Sequence, residues 1–185
     1  MRGRAIIAFA LVVICAAGAG CVFKRQPFKG VVEYVDGKVY LRLPTYAQPG
    51  RFYRVGILPD GWERMATRAH TISFYNEAYR CSISTSAYCG LSVSDRSLDS
   101  FTGDMVSALE DRSFSEKKRF MLDGRGALRQ RVYGKYNGVP TVVDLVTARK
   151  GGCVFDFYLV SQAGAPVEAR EDFETFFGGF EYAAE

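Results

Sequence analysis

The sequence predicts an α+β fold, an antiparallel β-sheet packed with two main helices at about residues 97–111 and 166–178. Three observations predict it. β-prone runs are separated by turn-forming pairs, Asp36-Gly37, Asp123-Gly124 and Gly151-Gly152, and tight turns join antiparallel neighbours. Apolar residues then fall three or four apart at Leu98, Phe101, Met105 and Leu109, which is one helical stripe. The same spacing returns at Ala169, Phe173, Phe176, Phe177 and Phe180. Strands, a helix, more strands and a closing helix give helices packed on an antiparallel sheet.

The elements follow in order. Arg2 and Arg4 precede an uncharged apolar run over residues 5–15, then small residues up to Cys21. A positive start, an apolar stretch and small residues before a cut describe a secretory signal. The rival reading is an uncleaved anchor, because no charge falls between Ala5 and Phe23 and roughly 17–25 residues cross a bilayer. Lys24 and Arg25 at the outer end of the run oppose the orientation that Arg2 and Arg4 would set. Residues 30–43 read as a hairpin around Asp36-Gly37, and residues 44–50, with two prolines, as a linker. Residues 51–57 read as a strand, residues 70–76 as another, and residues 81–84 as the start of a further one.

Ser97 caps the first helix, and Asp99 suits its first turn. Residues 117–136 form two runs around Asp123-Gly124. Residues 140–149 are apolar on both faces, hence central. Residues 153–161 place Cys153, Phe155, Phe157 and Leu159 on one face, and residues 150–152 join these last two runs as a tight hairpin. Pro166 opens the closing helix, and Gly178-Gly179 end it. The domain division is then 1–20 signal peptide, 21–50 N-terminal hairpin and linker, and 51–185 globular domain.

Gly18-Ala19-Gly20-Cys21 resembles the lipobox of bacterial lipoprotein signals, with Gly18 where Leu is commoner. The resemblance implies that Cys21 becomes the lipidated first residue of the mature chain and carries two or three acyl chains. One chain alone holds only marginally, at about 0.8 kcal/mol per buried methylene. Val22 rather than Asp follows the lipidated position, which by the same resemblance leans towards the outer membrane, facing the periplasm. From about residue 53 to 180, "YRVGILPDGWER", "SLDSFTGDMVSALED", the strand meander and "FETFFGGF" are similar to the PsbP-like α/β sandwich. Characterised members act as docking or assembly subunits. The resemblance therefore implies a lipid-anchored envelope protein that binds an envelope protein partner and performs no catalysis.

With Cys15 in the signal and Cys21 lipidated, Cys81, Cys89 and Cys153 remain, in an oxidising compartment. Cys81 and Cys89, close in sequence, are expected to pair, closing a loop of about nine residues worth about 2.5 kcal/mol. Cys153 is then a buried, inert thiol. A pairing of Cys81 or Cys89 with Cys153 is the alternative.

Composition narrows the chemistry. The formal charge of +4 falls to about +2 without Arg2 and Arg4, too small to argue for nucleic acid. A single histidine, His70, opens a β run and removes most triad and zinc arrangements. No cofactor or metal site is expected. Asp144 and Asp156 alternate with apolar residues on strands, and a periplasmic hydrolase would need two such carboxylates to converge. A small-ligand carrier, the other alternative, would need an apolar cavity. Aromatics are abundant, with 11 Tyr and 14 Phe, and Tyr favours recognition surfaces. Tyr75, Tyr79 and Tyr88, within residues 75–90, are the candidate partner-binding residues, with Tyr133 and Tyr136 also near strand ends.

Overall fold

The structure, a computed structural model, describes residues 32–35, 38–42, 51–67, 71–89 and 96–184. The signal segment, Cys21 and His70 lie outside the described residues. Twelve strands and two helices are described. Strands β1 (Val32–Val35), β2 (Lys38–Arg42), β3 (Arg51–Val55) and β12 (Glu181–Ala184) form a sheet in the order β1-β2-β3-β12. Val35 opposes Lys38, which leaves two residues to connect β1 and β2, as the Asp-Gly signal requires. β2 pairs with β3, Val39 opposite Val55, so the hairpin lies against the first strand of the 51–185 unit.

The second sheet holds β4 (Glu63–Met65), β5 (Thr71–Asn76), β6 (Cys81–Cys89), β7 (Glu110–Phe114), β8 (Lys118–Leu122), β9 (Arg125–Tyr136), β10 (Val139–Lys150) and β11 (Cys153–Ser161). Its order is β4-β5-β6-β11-β10-β9-β7, with β8 also on β9. Every pairing in both sheets is antiparallel. The expected single sheet with two helices is thus richer in strand, with two sheets. β10 is central, as its apolar run predicts. Gly151 and Gly152, both at positive φ, turn β10 into β11, a conformation that glycine adopts without steric cost.

Alternation of side chains gives the larger sheet two unlike faces. One carries Phe74, Ile83, Ala87, Val146, Ala148, Phe155, Phe157 and Leu159. Helix α2 (Val167–Gly178) covers it with Ala169, Phe173, Phe176 and Phe177, and Phe180 and Tyr53 complete one continuous buried cluster. The rings meet edge-on or tilted, for example Phe155 with Phe180 at 4.8 Å and Phe173 with Phe177 at 5.1 Å, the arrangement that ring quadrupoles prefer. Gly56 lets β3 touch this helix. A Cβ there would lie 2.0 Å from the Thr175 carbonyl oxygen, whereas the Gly56 N–H donates to the Phe176 carbonyl at 2.9 Å.

The opposite face carries Val132, Val143 and Leu145 beneath helix α1 (Leu98–Met105), whose Met105 joins them with Val106 and Leu109, and Val154 beneath Phe101. Ser97 caps α1 as expected, its Oγ accepting from the Ser100 N–H at 3.2 Å. The helix is shorter than the stripe suggested. It ends at Met105, and Leu109 reaches the same cluster from the turn that leads into β7, where residue 111 was expected to be helical.

The expected Cys81–Cys89 disulfide is corrected. Residues 81–89 are one unbroken strand, and eight steps of about 3.3 Å hold its ends roughly 26 Å apart. Cys89 instead lies directly opposite Cys153 on β11 and is bonded to it, with Cα atoms 4.1 Å apart. Cys153 is therefore not an inert thiol. Closing a chain separation of 64 residues stabilises by about 4 kcal/mol on the chain-entropy estimate. Cys81 is the buried free thiol. Burial pushes it up to about 11, and its sulfur lies 3.1 Å from the Tyr79 carbonyl.

Candidate functional site

The three tyrosines proposed as a binding face do not come together. Tyr75 opposes Ser82 at one end of β6, and Tyr88 opposes Val154 at the other, roughly 20 Å away along the strand. Tyr79 sits in the turn between β5 and β6 and packs edge-on against Trp62 at 6.1 Å, bordering the aromatic core. Tyr88 packs on the Phe101–Val154 cluster. All three are half-buried.

Asp144 and Asp156 point to opposite faces of the larger sheet. Asp144 opposes Leu159, on the aromatic face, whereas Asp156 opposes Thr147. They cannot act on one substrate as a carboxylate pair. Asp156 is 1% exposed and accepts from Thr147 Oγ1 at 2.8 Å. Burial, only partly offset by that bond, pushes its carboxyl up to about 7. Asp144 is held differently. Its Oδ2 accepts from Arg131 Nε at 3.0 Å and Nη2 at 2.6 Å, and Arg129 stands 4.0 Å from Oδ1. The ladder continues to the helix, where Arg129 donates to Glu174 at 2.8 Å and lies over the Phe177 ring. Among the described residues no three His, Cys, Asp or Glu side chains cluster as metal ligands would.

The arginine ladder ends in an open groove. Residues 162–166, "QAGAP", carry the chain from β11 to α2, and a Gly-Ala-Pro run cannot prolong either element. The loop stands off the sheet beside the far end of the β9–β10 pair. The space between them holds about 450 Å³, lined by Arg131, Tyr133, Thr141, Val142, Gln162 and Arg170 among others. That volume is within the range of small-molecule sites. Arg131 and Tyr133 are two apart on β9 and share the groove-facing side. Thr141 is 5% exposed and donates to the Val139 carbonyl at 2.9 Å.

Electrostatically the groove is one-sided. No carboxylate lines it. Asp144 neutralises Arg131 from beneath while using two of the five guanidinium donors. Arg170, on the first turn of α2, makes no side-chain hydrogen bond or ion pair among the described residues. Of the acids on its helix, Asp172 is engaged with Trp62 Nε1 at 2.8 Å and Glu174 with Arg129, while Glu168 and Glu171 flank Arg170 in sequence and lie outside the groove lining. Pro166 supplies no side-chain cap to the helix start, and Glu168 stands in the first turn at the positive end of the backbone dipole. The groove can hold a ligand by charge-assisted hydrogen bonds. No lining side chain is a carboxylate, His or Cys, the groups that exchange protons near neutral pH.

Sequence reasoning named Tyr133 and missed Arg131, Arg170, Thr141 and Gln162. Their signal was weak. Arg131 is one of several alternating polar residues on a strand, and Arg170 is a charge on a solvated helix face. Only the fold places β9, β10 and the start of α2 side by side.

No family model matches this chain, and no curated protein matches it. Solved structures do. LpqN, described as involved in cell envelope biogenesis of Mycobacterium tuberculosis, superposes with a TM-score of 0.53 at 14% identity, over 75% of this chain and 87% of that one. A Bacteroides thetaiotaomicron VPI-5482 protein superposes with a TM-score of 0.52 at 13% identity, over 72% of this chain. This chain spans just under half, 46%, of that protein's length. Cyanobacterial PsbP from Synechocystis reaches 0.44 at 16% identity, over 72% of this chain and 87% of its own, too low to add to the argument. Among the described residues no helix is long and apolar enough to cross a membrane. At these identities the likeness is one of fold, and the fold is an α+β sandwich shared with LpqN and the Bacteroides protein.

Proposed function

We propose that this chain is a cell-envelope protein, tethered by lipid on Cys21, which binds another envelope component at the groove and does not catalyse a reaction on it. The observation that carries the reading is the groove itself. It has the volume of a ligand site, a positive edge whose Arg170 has no side-chain partner among the described residues, and no carboxylate, His or Cys in its lining. The likeness to LpqN, described as involved in cell envelope biogenesis, supports an envelope role. The signal segment and the Gly18-Ala19-Gly20-Cys21 sequence support an exported, lipidated chain and an outer-membrane address facing the periplasm. The anchor is tested by metabolic labelling with palmitate, which Cys21→Ala abolishes. Retained label in that variant, or none in the wild type, would remove the anchor.

Binding is tested in cells with a photo-crosslinking residue at Gln162, in the groove, and at Met121, which is 67% exposed and outside the groove lining. A discrete adduct at 162 and none at 121 is expected. Equal adducts, or none at 162, would remove the groove as the contact.

A further inference from the structure

The geometry points to an oxyanion, a carboxylate or phosphate group, as the part of the ligand that the groove recognises, held by Arg170 with Arg131 as the second donor. This deepens the binding reading above and rests on it. Three observations converge. The lining contains two guanidiniums and no acid. Arg131 is oriented by two hydrogen bonds to buried Asp144, whose side chain is 5% exposed, so its planar fork is held before any ligand arrives. Arg170 is the reverse case, a guanidinium with no protein partner among the described residues, although Glu168, Glu171, Asp172 and Glu174 lie on its own helix.

A fixed guanidinium beside an unsatisfied one suits a planar or tetrahedral oxyanion, because each can offer two parallel N–H donors. Thr141, Tyr133 and Gln162 add neutral polar groups around the charged pair. An uncharged ligand would leave the Arg170 donors to water and gain nothing from the positive edge. A cation would be repelled. Both arginines keep their charge at any physiological pH, so the protein side of the recognition does not vary between pH 5 and 9.

The test is an NMR titration of the full chain in detergent micelles, with inorganic phosphate and with acetate, each against chloride at matched ionic strength. Saturable shifts in the millimolar range are expected at the amides of Gly164, Ala165 and Val167 and at Arg170 Nε. Arg170→Gln should weaken the apparent affinity by roughly tenfold or more, the effect of losing a charge-assisted pair of bonds. Arg170→Lys, which keeps the charge but loses the fork, should fall between. Saturation by phosphate points to a phosphate-bearing ligand and saturation by acetate to a carboxylate-bearing one. Shifts that do not saturate with either anion, or that persist unchanged in Arg170→Gln with the remaining spectrum intact, overturn the assignment. If the Gln162 crosslink forms while both anions fail, the oxyanion is wrong and the binding groove stands. If the crosslink is also absent, both fall.

Discussion

The two faces of the larger sheet are built on the same strands and stabilised by different means. Towards α2, β6, β10 and β11 present Ile83, Ala87, Val146, Ala148, Phe155, Phe157 and Leu159, and the cover is aromatic. Towards α1 and beyond it, the same strands present Ser82, Ser84, Ser86, Thr147 and Asp156, each 7% exposed or less. The first face gains from removing large apolar surfaces from water. The second depends on pairing the hydroxyls it buries, because an unpaired one costs about 1–3 kcal/mol. An aromatic face tolerates small shifts of its rings. A hydroxyl ladder such as Ser73 Oγ to Ser84 Oγ at 2.7 Å, or Thr147 to Asp156 at 2.8 Å, fixes which residue stands opposite which. The comparison assigns most of the stability to one face and register to the other.

Truncation should separate the faces most sharply. Phe176 is 1% exposed and meets Phe74 at 5.9 Å and Phe157 at 6.4 Å. Phe176→Ala should cost about 4 kcal/mol in urea unfolding, near the middle of the range for buried Phe. Phe101 on α1 is 7% exposed and meets Val154 and Tyr88 in a small apolar cluster, with the Arg96 guanidinium over its ring at 4.4 Å, so Phe101→Ala should cost about half as much. Equal losses would mean that the aromatic face is not the principal source of stability.

A second contrast is in pH dependence, and Asp156 carries it. Its folded carboxyl is pushed up to about 7, above the unfolded value of about 3.9. Between these values the folded chain holds the proton more tightly, so stability is fully present below about pH 4 and is lost as pH rises through 7. From pH 5 to 7 the loss is roughly 2 kcal/mol by linkage. Asp156→Asn keeps the acceptor for Thr147 and cannot ionise, so its melting temperature should not fall over that interval. For two surface carboxylates the signs reverse. Asp99 is held below its ordinary value chiefly by Lys117, and Asp111 by Lys135. Their contributions disappear only below about pH 4. Wild-type and variant curves that run parallel between pH 5 and 7 would show that water reaches Asp156.

How much of this was legible depends on whether the deciding contact is local. The two helices, the β10–β11 hairpin and the inward set Cys153, Phe155, Phe157 and Leu159 follow from periodicity and turn chemistry within a few residues, and the structure places them so. β7 was hidden because Leu109 continues the α1 stripe while belonging to the turn after it. β12 was hidden because residues 181–184 find their partner more than a hundred positions earlier, on β3. The disulfide was misread because proximity in sequence was taken for proximity in space. In an extended strand near neighbours are far apart, whereas Cys89 and Cys153 are brought together by the β6–β11 register. The groove was illegible for the same reason, since Arg131 and Arg170 become neighbours only when α2 starts beside β9.

The smallest expected effect tests whether the polar face sets register. Ser73 and Ser84 are opposed on β5 and β6, 1% and 2% exposed, with their oxygens 2.7 Å apart. Ser84→Ala leaves the Ser73 hydroxyl buried without this partner and should cost about 1–2 kcal/mol, and Ser73→Ala should do the same to Ser84. The double variant removes both groups together, so its cost should fall short of the sum by about 1 kcal/mol. Because a neighbouring-strand slip would turn Ser84 to the aromatic face, the double variant should also exchange its β5–β6 amide protons faster than either strand's pairing with a hydroxyl partner intact. Additive costs with unchanged exchange would leave the two serines as passengers, and the division of labour between the faces would have to rest on Asp156 and Thr147 alone.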